Sequence, residues 1–425
     1  MAVASPSARG PRALPVAATS LVGREQAIDE VAGLAGGPGA RLVTLTGPGG
    51  IGKTRLALAV GKRLRERFES GTVFASLAGV AEPEQVLAAI ARAVGADLGG
   101  SDAPLLTLIE RFGDGRWLLV LDNLEHLVDA ARDLDELLAR CPGVAILVTS
   151  LTVLRLRAER EYPVPPLGLP PLSDTVALAE VESSLAVALF VDQARAVRPD
   201  FALTDGNSAA VVEICRRLEG VPLAIELAAS RTRLLGPEGL LRRLAGSLDA
   251  LGTGTVDMPR RHRTLRATVE WSVGLLGDAE RSLLETAAVF VDGWTIEAAT
   301  EVAGLDEDRA LDLMEALAAH SLIYLDITDR GPRSRMLDTI SRPKTTTASR
   351  IQPRNARTPC HAEADSPGSA WPESLGCFWP RAAPAAQDIV NSATRVEATA
   401  SRRRARLTSR SSVVDGTTRG IVQIG

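Results

Sequence analysis

The 425-residue chain has little aromatic content, 3%, and only four cysteines and four histidines. With so few rings, its cores must be built from Leu, Val and Ala, for which a hydrophobic content of 45% is ample. Cys141, Cys215, Cys360 and Cys377 follow neither a metal-ligand spacing nor a disulfide pattern, which suits the reducing cytoplasm. No apolar run approaches the ~20 residues of a membrane helix, so no membrane partner is expected. The opening MAVASPSARGPRALP lacks the apolar centre of a signal peptide and reads as a flexible leader over residues 1–19. Lysine is scarce, with only Lys53, Lys62 and Lys344. The net charge of −4 hides a split: residues 341–425 carry 13 basic and 6 acidic residues, or +7, and the rest carries −11. An acidic body argues against direct DNA binding by residues 1–340.

Against that background, residues 47–54 read GPGGIGKT and fill the pattern G-x-x-x-x-G-K-[ST] at every fixed position. The apolar run Leu42–Leu45 precedes it as a strand, and a helical pattern follows from Lys53 to Phe68. Glycines let the backbone curl so that successive N–H groups face a phosphate chain. Lys53 then reaches the β- and γ-phosphates, the Thr54 hydroxyl holds Mg²⁺, and the helix points its N-terminus at the anion. The predicted ligands are ATP or ADP with Mg²⁺. A second strand ending in an acid is needed to hold the metal through water, and WLLVLDN supplies Asp122 at that place. The position after it is Asn123, which cannot act as a base. Glu125, two residues further on, is the candidate to orient an attacking water; its plain alternative is a helix-start residue beside His126. ILVTS, Ile146–Ser150, reads as a further strand inserted beside the phosphate-loop strand, where it senses the γ-phosphate. GVPLA, residues 220–224, has two readings. Gly220 and Pro222 suit a helix end and the first turn of the next helix; alternatively Pro222 covers the adenine ring.

Strands expected at Leu42–Leu45, Val73–Leu77, Trp117–Leu121 and Ala145–Val148 alternate with helices such as Glu84–Val94 and Asp129–Ala139. This is the pattern of an α/β fold with a parallel sheet, a P-loop nucleotide-binding domain over residues 20–170. Residues 171–255 are helical: Ser184–Ala196, Ser208–Leu218 and Leu223–Leu235. Residues 256–340 hold short helices and then strands Leu322–Asp326 and Met336–Ile340 around the polar TDRGPRSR, which reads as a winged helix. Its best recognition-helix candidate, Asp306–His320, sets five acids against Arg309; DNA affinity rests on cations, so internal packing is the expected role. Ser and Thr make up 19 of the last 85 residues, and residues 341–425 read as a disordered or frame-shifted tail.

The motif order resembles the STAND class of signal-transduction ATPases, and most closely the NB-ARC-type regulators of actinobacteria, among them the AfsR/SARP and large LuxR-like transcriptional regulators. The segments that carry the resemblance are LVGRE, TLTGPGGIGKTRLA, LLVLDNLEHL, ILVTS, FVDQARAVRPDFALT, EICRRLEGVPLAIELAA and TLRATVEWSVGLL, spread over residues 20–340. The resemblance implies a P-loop domain, a helical ARC-like domain and a winged-helix domain that close around ADP or ATP, with ATP permitting opening and self-assembly. It implies that Gly47, Gly49, Gly50, Ile51, Gly52, Lys53, Thr54 and Arg55 contact the nucleotide, and that Val22 and Arg24 lie near the adenine with Pro222 over it. Thr54 and Asp122 are the implied magnesium residues. One departure bears on chemistry: such proteins usually carry Arg after Thr-Ser at the end of the sensor strand, and residue 151 here is Leu. The expected function is an ATP/ADP-binding switch with slow hydrolysis, in the core of a signalling or transcriptional regulator. A steady-turnover ATPase and a truncated, non-functional remnant are the alternatives.

Overall fold

The computed structural model describes residues 13–16, 21–37, 39–98, 103–171, 177–244, 251, 264–290, 293–328 and 331–336. The expected tail, and all of the expected leader but residues 13–16, lie outside these. The described residues fall into two compact units, one comprising residues up to Arg281 with Glu315–Tyr324 and Met336, the other Ser282–Met314 with Leu325–Arg335.

The first unit is built on five parallel strands, β1 (Leu42–Thr46), β2 (Gly71–Ser76), β3 (Trp117–Asp122), β4 (Val144–Thr149) and β5 (Glu159–Pro163), in the order β2-β3-β4-β1-β5. Strands β1, β3 and β4 are buried along their whole length, as continuous apolar runs in a covered parallel sheet should be. Strand alternation splits their side chains between two cores. Val43, Leu45, Leu118, Val120, Ala145 and Leu147 face one cluster, with α1 (Glu25–Gly36) and α2 (Lys53–Arg63). Leu42, Leu119, Leu121, Ile146 and Val148 face the other, with α3 (Val86–Val94), α4 (Pro104–Phe112) and α5 (Ala131–Arg140). Strand β4 pairs with β1 on one side and β3 on the other, so ILVTS stands between the phosphate-loop strand and the strand ending in Asp122.

After β5 the chain turns helical: α6 (Leu178–Ser183), α7 (Leu185–Val197), α8 (Asp205–Arg217), α9 (Pro222–Ser230) and α10 (Pro237–Leu244). Their apolar faces join the core that starts at β1 and α2. Helix α8 ends because Glu219 and Gly220 adopt positive φ of 49° and 70°, and a side chain at Gly220 would collide with the Leu167 carbonyl. Pro222 is then the first residue of α9, where its missing N–H costs nothing. Helix α11 (Leu265–Gly274) is capped by the Thr264 hydroxyl, which accepts from Ala267 N.

Three further helices, α12 (Asp278–Ala287), α13 (Ile296–Ala303) and α14 (Glu307–Ala319), precede a hairpin of β6 (Ile323–Thr328) and β7 (Gly331–Met336). The second strand therefore comes earlier than the expected Met336–Ile340, within the segment expected to be a turn. The reason is pairing: Trp294 and Ser334 exchange both backbone hydrogen bonds, at 2.9 and 2.8 Å, which holds Ser334 extended. Residues 337–340 lie outside the described residues.

Candidate functional site

The loop between β1 and α2 needs backbone that only glycine adopts easily. Gly50 and Gly52 have φ of 81° and 99°. Glycine also permits close approach. A methyl group at Gly49 would collide with the Thr268 methyl, and one at Gly50 would come within 2.8 Å of Leu223 Cβ. The loop is thus packed directly beneath α9 and α11. The Leu223 N–H donates to the Gly50 carbonyl at 3.2 Å, which ties the first turn of α9 to the loop. Lys53 reaches back across the loop, its Nζ 2.6 Å from the Gly47 carbonyl and 3.2 Å from that of Pro48.

Asp122, at the end of β3, is buried. Its Oδ1 accepts from the Thr54 hydroxyl at 2.6 Å and from the Thr149 hydroxyl at 2.7 Å. Thr149 accepts in turn from the Asn123 N–H at 3.1 Å. The end of the inserted strand thereby fixes the acid against the first turn of α2. Asn123 has a φ of 67°, and its Nδ2 donates to Glu125 Oε1 at 3.2 Å. Glu125 is only 7% exposed, and its Oε2 is buried with no hydrogen-bond partner among the described residues.

Beside these groups lies a cavity of about 190 Å³, and Asp122 and Thr149 are not among its lining residues. The structure brings Gly49, Gly50, Gly52, Lys53, Thr54, Arg55, Glu125 and Pro222 to its wall, with Asn123 and Leu151. Arg155 and Arg157, further along from Leu151, are exposed and are not among the lining residues. Arg24 is buried and donates to the Ile51 carbonyl at 3.1 Å, bracing the loop from behind; burial lowers its pKa. Val22 packs against the core and, like Arg24, Gly47 and Ile51, is not among the lining residues.

Five lining residues were not singled out from the sequence: Leu223, Glu226, Thr268, Trp271 and Ser272. Arg55 Nη1 donates to Glu226 Oε1 at 3.1 Å. The spacing from Pro222 to Glu226, and from Thr268 to Trp271 and Ser272, is that of one helical face. That signal was readable, but nothing in the sequence says which face meets the loop. Trp271 also lies edge-on to His126, with ring centroids 6.1 Å apart.

The donor set fits a magnesium nucleotide. A glycine-lined cradle sits beside an ammonium group, and a hydroxyl and a carboxylate share one hydrogen bond. Among the described residues there is no group of three or more His, Cys, Asp or Glu able to cage a metal by themselves; Mg²⁺ commonly takes one or two protein ligands and completes its shell with phosphate and water.

A family profile described as an AAA domain matches residues 38–154, from just before β1 to just after β4. Over 291 residues the chain is 41% identical to an uncharacterised protein of Mycobacterium tuberculosis (strain ATCC 25618 / H37Rv), a match spanning 68% of this chain and 70% of that protein. The chain belongs to that protein's family. It is a P-loop ATPase that resembles the AfsR-type regulators. It is 31% identical over 343 residues to the regulatory protein AfsR of Streptomyces griseus, covering 74% of this chain and 31% of AfsR. It is 38% identical over 306 residues to a second M. tuberculosis protein, provisionally named an HTH-type transcriptional regulator, covering 71% and 33%. This P-loop ATPase therefore spans about a third of the length of those two regulators.

Proposed function

We propose that this P-loop ATPase is an ATP/ADP-binding molecular switch, the nucleotide-binding core of a signalling or transcriptional regulator, with slow hydrolysis. The observation that carries the reading is the packing of α9 and α11 onto the glycines of the loop that presents Lys53 and Thr54. Phosphates bound in this loop touch the same backbone that the helical block rests on. Loop N–H groups and Lys53 bind the phosphates, and Ile51 and Arg55 belong to the same contact set. Thr54 and Asp122 hold Mg²⁺, which screens phosphate charge when bound. Pro222 covers the base, with Val22 and Arg24 near it. The residues from 256 to 340 act as an internal winged-helix domain rather than a DNA reader. Asp306, Glu307, Asp308, Asp312 and Glu315 are all exposed on or beside α14, a face that repels phosphate. In the ATP state the domains open and the chain self-assembles. The setting is the cytoplasm; among the described residues no helix is long and apolar enough to cross a membrane.

Calorimetric titration with ADP and ATP tests the reading. Lys53→Ala should abolish binding while circular dichroism stays unchanged, because the lysine supplies charge and the backbone supplies shape. Undiminished affinity in that variant would remove the nucleotide assignment. A steady-turnover ATPase is the second reading, favoured by the buried Glu125 Oε2 in the cavity wall, which has no hydrogen-bond partner among the described residues; multiple turnovers of phosphate release from purified protein would establish it.

A further inference from the structure

Arg55 follows Thr54 on the first turn of α2, and its side chain crosses to α9, where it meets Glu226 at 3.1 Å. Both side chains remain partly open, at 30% and 18% exposure, and both line the cavity. Glu226 stands one helical turn after Pro222, on the face of α9 that borders the loop. Burial pushes the Glu226 carboxyl up from its ordinary value, Arg55 opposes that shift, and Asp192 adds to it. A carboxylate beside a cradle built for phosphate sets anion against anion. Such a carboxylate stays ionised only where a cation stands between the two. A guanidinium has five N–H donors in a planar fork and can serve two anions at once, which an ammonium group does less well.

We propose that Arg55 bridges the bound nucleotide to α9, one edge of its guanidinium on a phosphate oxygen and the other on the Glu226 carboxylate. Nucleotide retention and the docking of α9 on the phosphate loop are then coupled through a single cation. This rests on the nucleotide reading above and adds to it the residue pair that transmits occupancy to the helical block. Glu226 is a positioning residue: it acts through Arg55 and touches no nucleotide atom itself.

The test follows dissociation of a fluorescent ADP from the full chain, chased with unlabelled ADP, in the unmodified protein, Arg55→Gln, Glu226→Gln and the double variant. Each single change should speed release about ten-fold, the effect of losing one charge-assisted hydrogen bond. The double variant should be no faster than the faster single, because either change breaks the same bridge. An unchanged release rate in Glu226→Gln, or rates that multiply in the double variant, would overturn the bridge. So would a lower melting temperature with unaltered release, the mark of a merely structural ion pair. If a glutamine variant fails to fold, Arg55→Lys and Glu226→Asp replace it. The lysine keeps the charge but not the fork and should still release ADP faster; release at the unmodified rate would count against the bridge. Failure of the unmodified protein to hold labelled ADP would overturn the nucleotide reading and the bridge together, whereas retention with indifferent variants would remove the bridge alone.

Discussion

At the scale of single residues, the proposed binding set and the proposed catalytic set differ in what the cavity wall supplies. Thr54 and Asp122 share a hydrogen bond, and Lys53 folds back onto the Gly47 carbonyl of the loop. Leu151 stands in the cavity wall at the position where an arginine is expected from the resemblance, and it is buried and uncharged. An arginine acting on phosphoryl transfer contributes on the order of 10³–10⁵ in rate. Leu151→Arg should therefore raise single-turnover hydrolysis, or at least sharpen discrimination of ATP over ADP. Fast hydrolysis by the unmodified chain, with no response to this change, would mean that the sensing group lies elsewhere. Glu226 gives a second prediction. Burial raises its pKa from 4.5, Asp192 pushes the same way and Arg55 opposes. The folded state therefore binds this proton more tightly than the unfolded state, and the group's contribution to stability falls as pH rises from near 4.5 through the folded value. Glu226→Gln should flatten that part of the pH–stability curve in urea titrations. Lys53 and Thr54 were legible in the sequence because a fixed spacing ties their side chains to one backbone shape, and Asp122 because a buried apolar run ends in an acid. Glu226 and Trp271 were not, since each reaches the site through packing between segments far apart in the chain.

At the scale of elements, the buried strands and the edge strand β2 were legible, and the other edge, β5, was not. The runs around Val43, Leu119 and Leu147 are apolar on both faces, which only a covered strand tolerates. Strand β5, Glu159–Pro163, is polar and sits at the sheet edge beside β1, so its sequence carries no comparable signal. Its place is fixed by backbone pairing rather than by apolar burial. The contact of α9 with the loop makes a further prediction. Gly50 combines a φ of 81° with a position where a methyl group would press on Leu223. Gly50→Ala should cost about 1–3 kcal/mol in denaturant unfolding. It should also weaken ADP binding, because relief of the clash requires α9 to shift. A variant as stable as the parent would mean that α9 yields freely.

At the scale of the whole molecule, one apolar cluster runs from Val43 and Leu45 on β1, through α2, to Phe190, Ile214, Ile225 and Leu240 in the helical block. The sequence suggested a boundary near residue 170, where strands give way to helices, but burial does not respect it. The two segments should therefore unfold together. Scanning calorimetry of residues 20–281 is expected to show one transition for them, displaced upward by ADP; two separate transitions would contradict a shared core. The roof that α11 forms over the loop bears on time as well as on affinity. Thr268 lies against Gly49, and the space of about 190 Å³ is smaller than the ~300–1,000 Å³ of ordinary ligand pockets. A nucleotide that needs more room than this space offers binds only when α11 lifts. Stopped-flow association should then level off with rising ADP concentration, at a ceiling set by how often the roof opens.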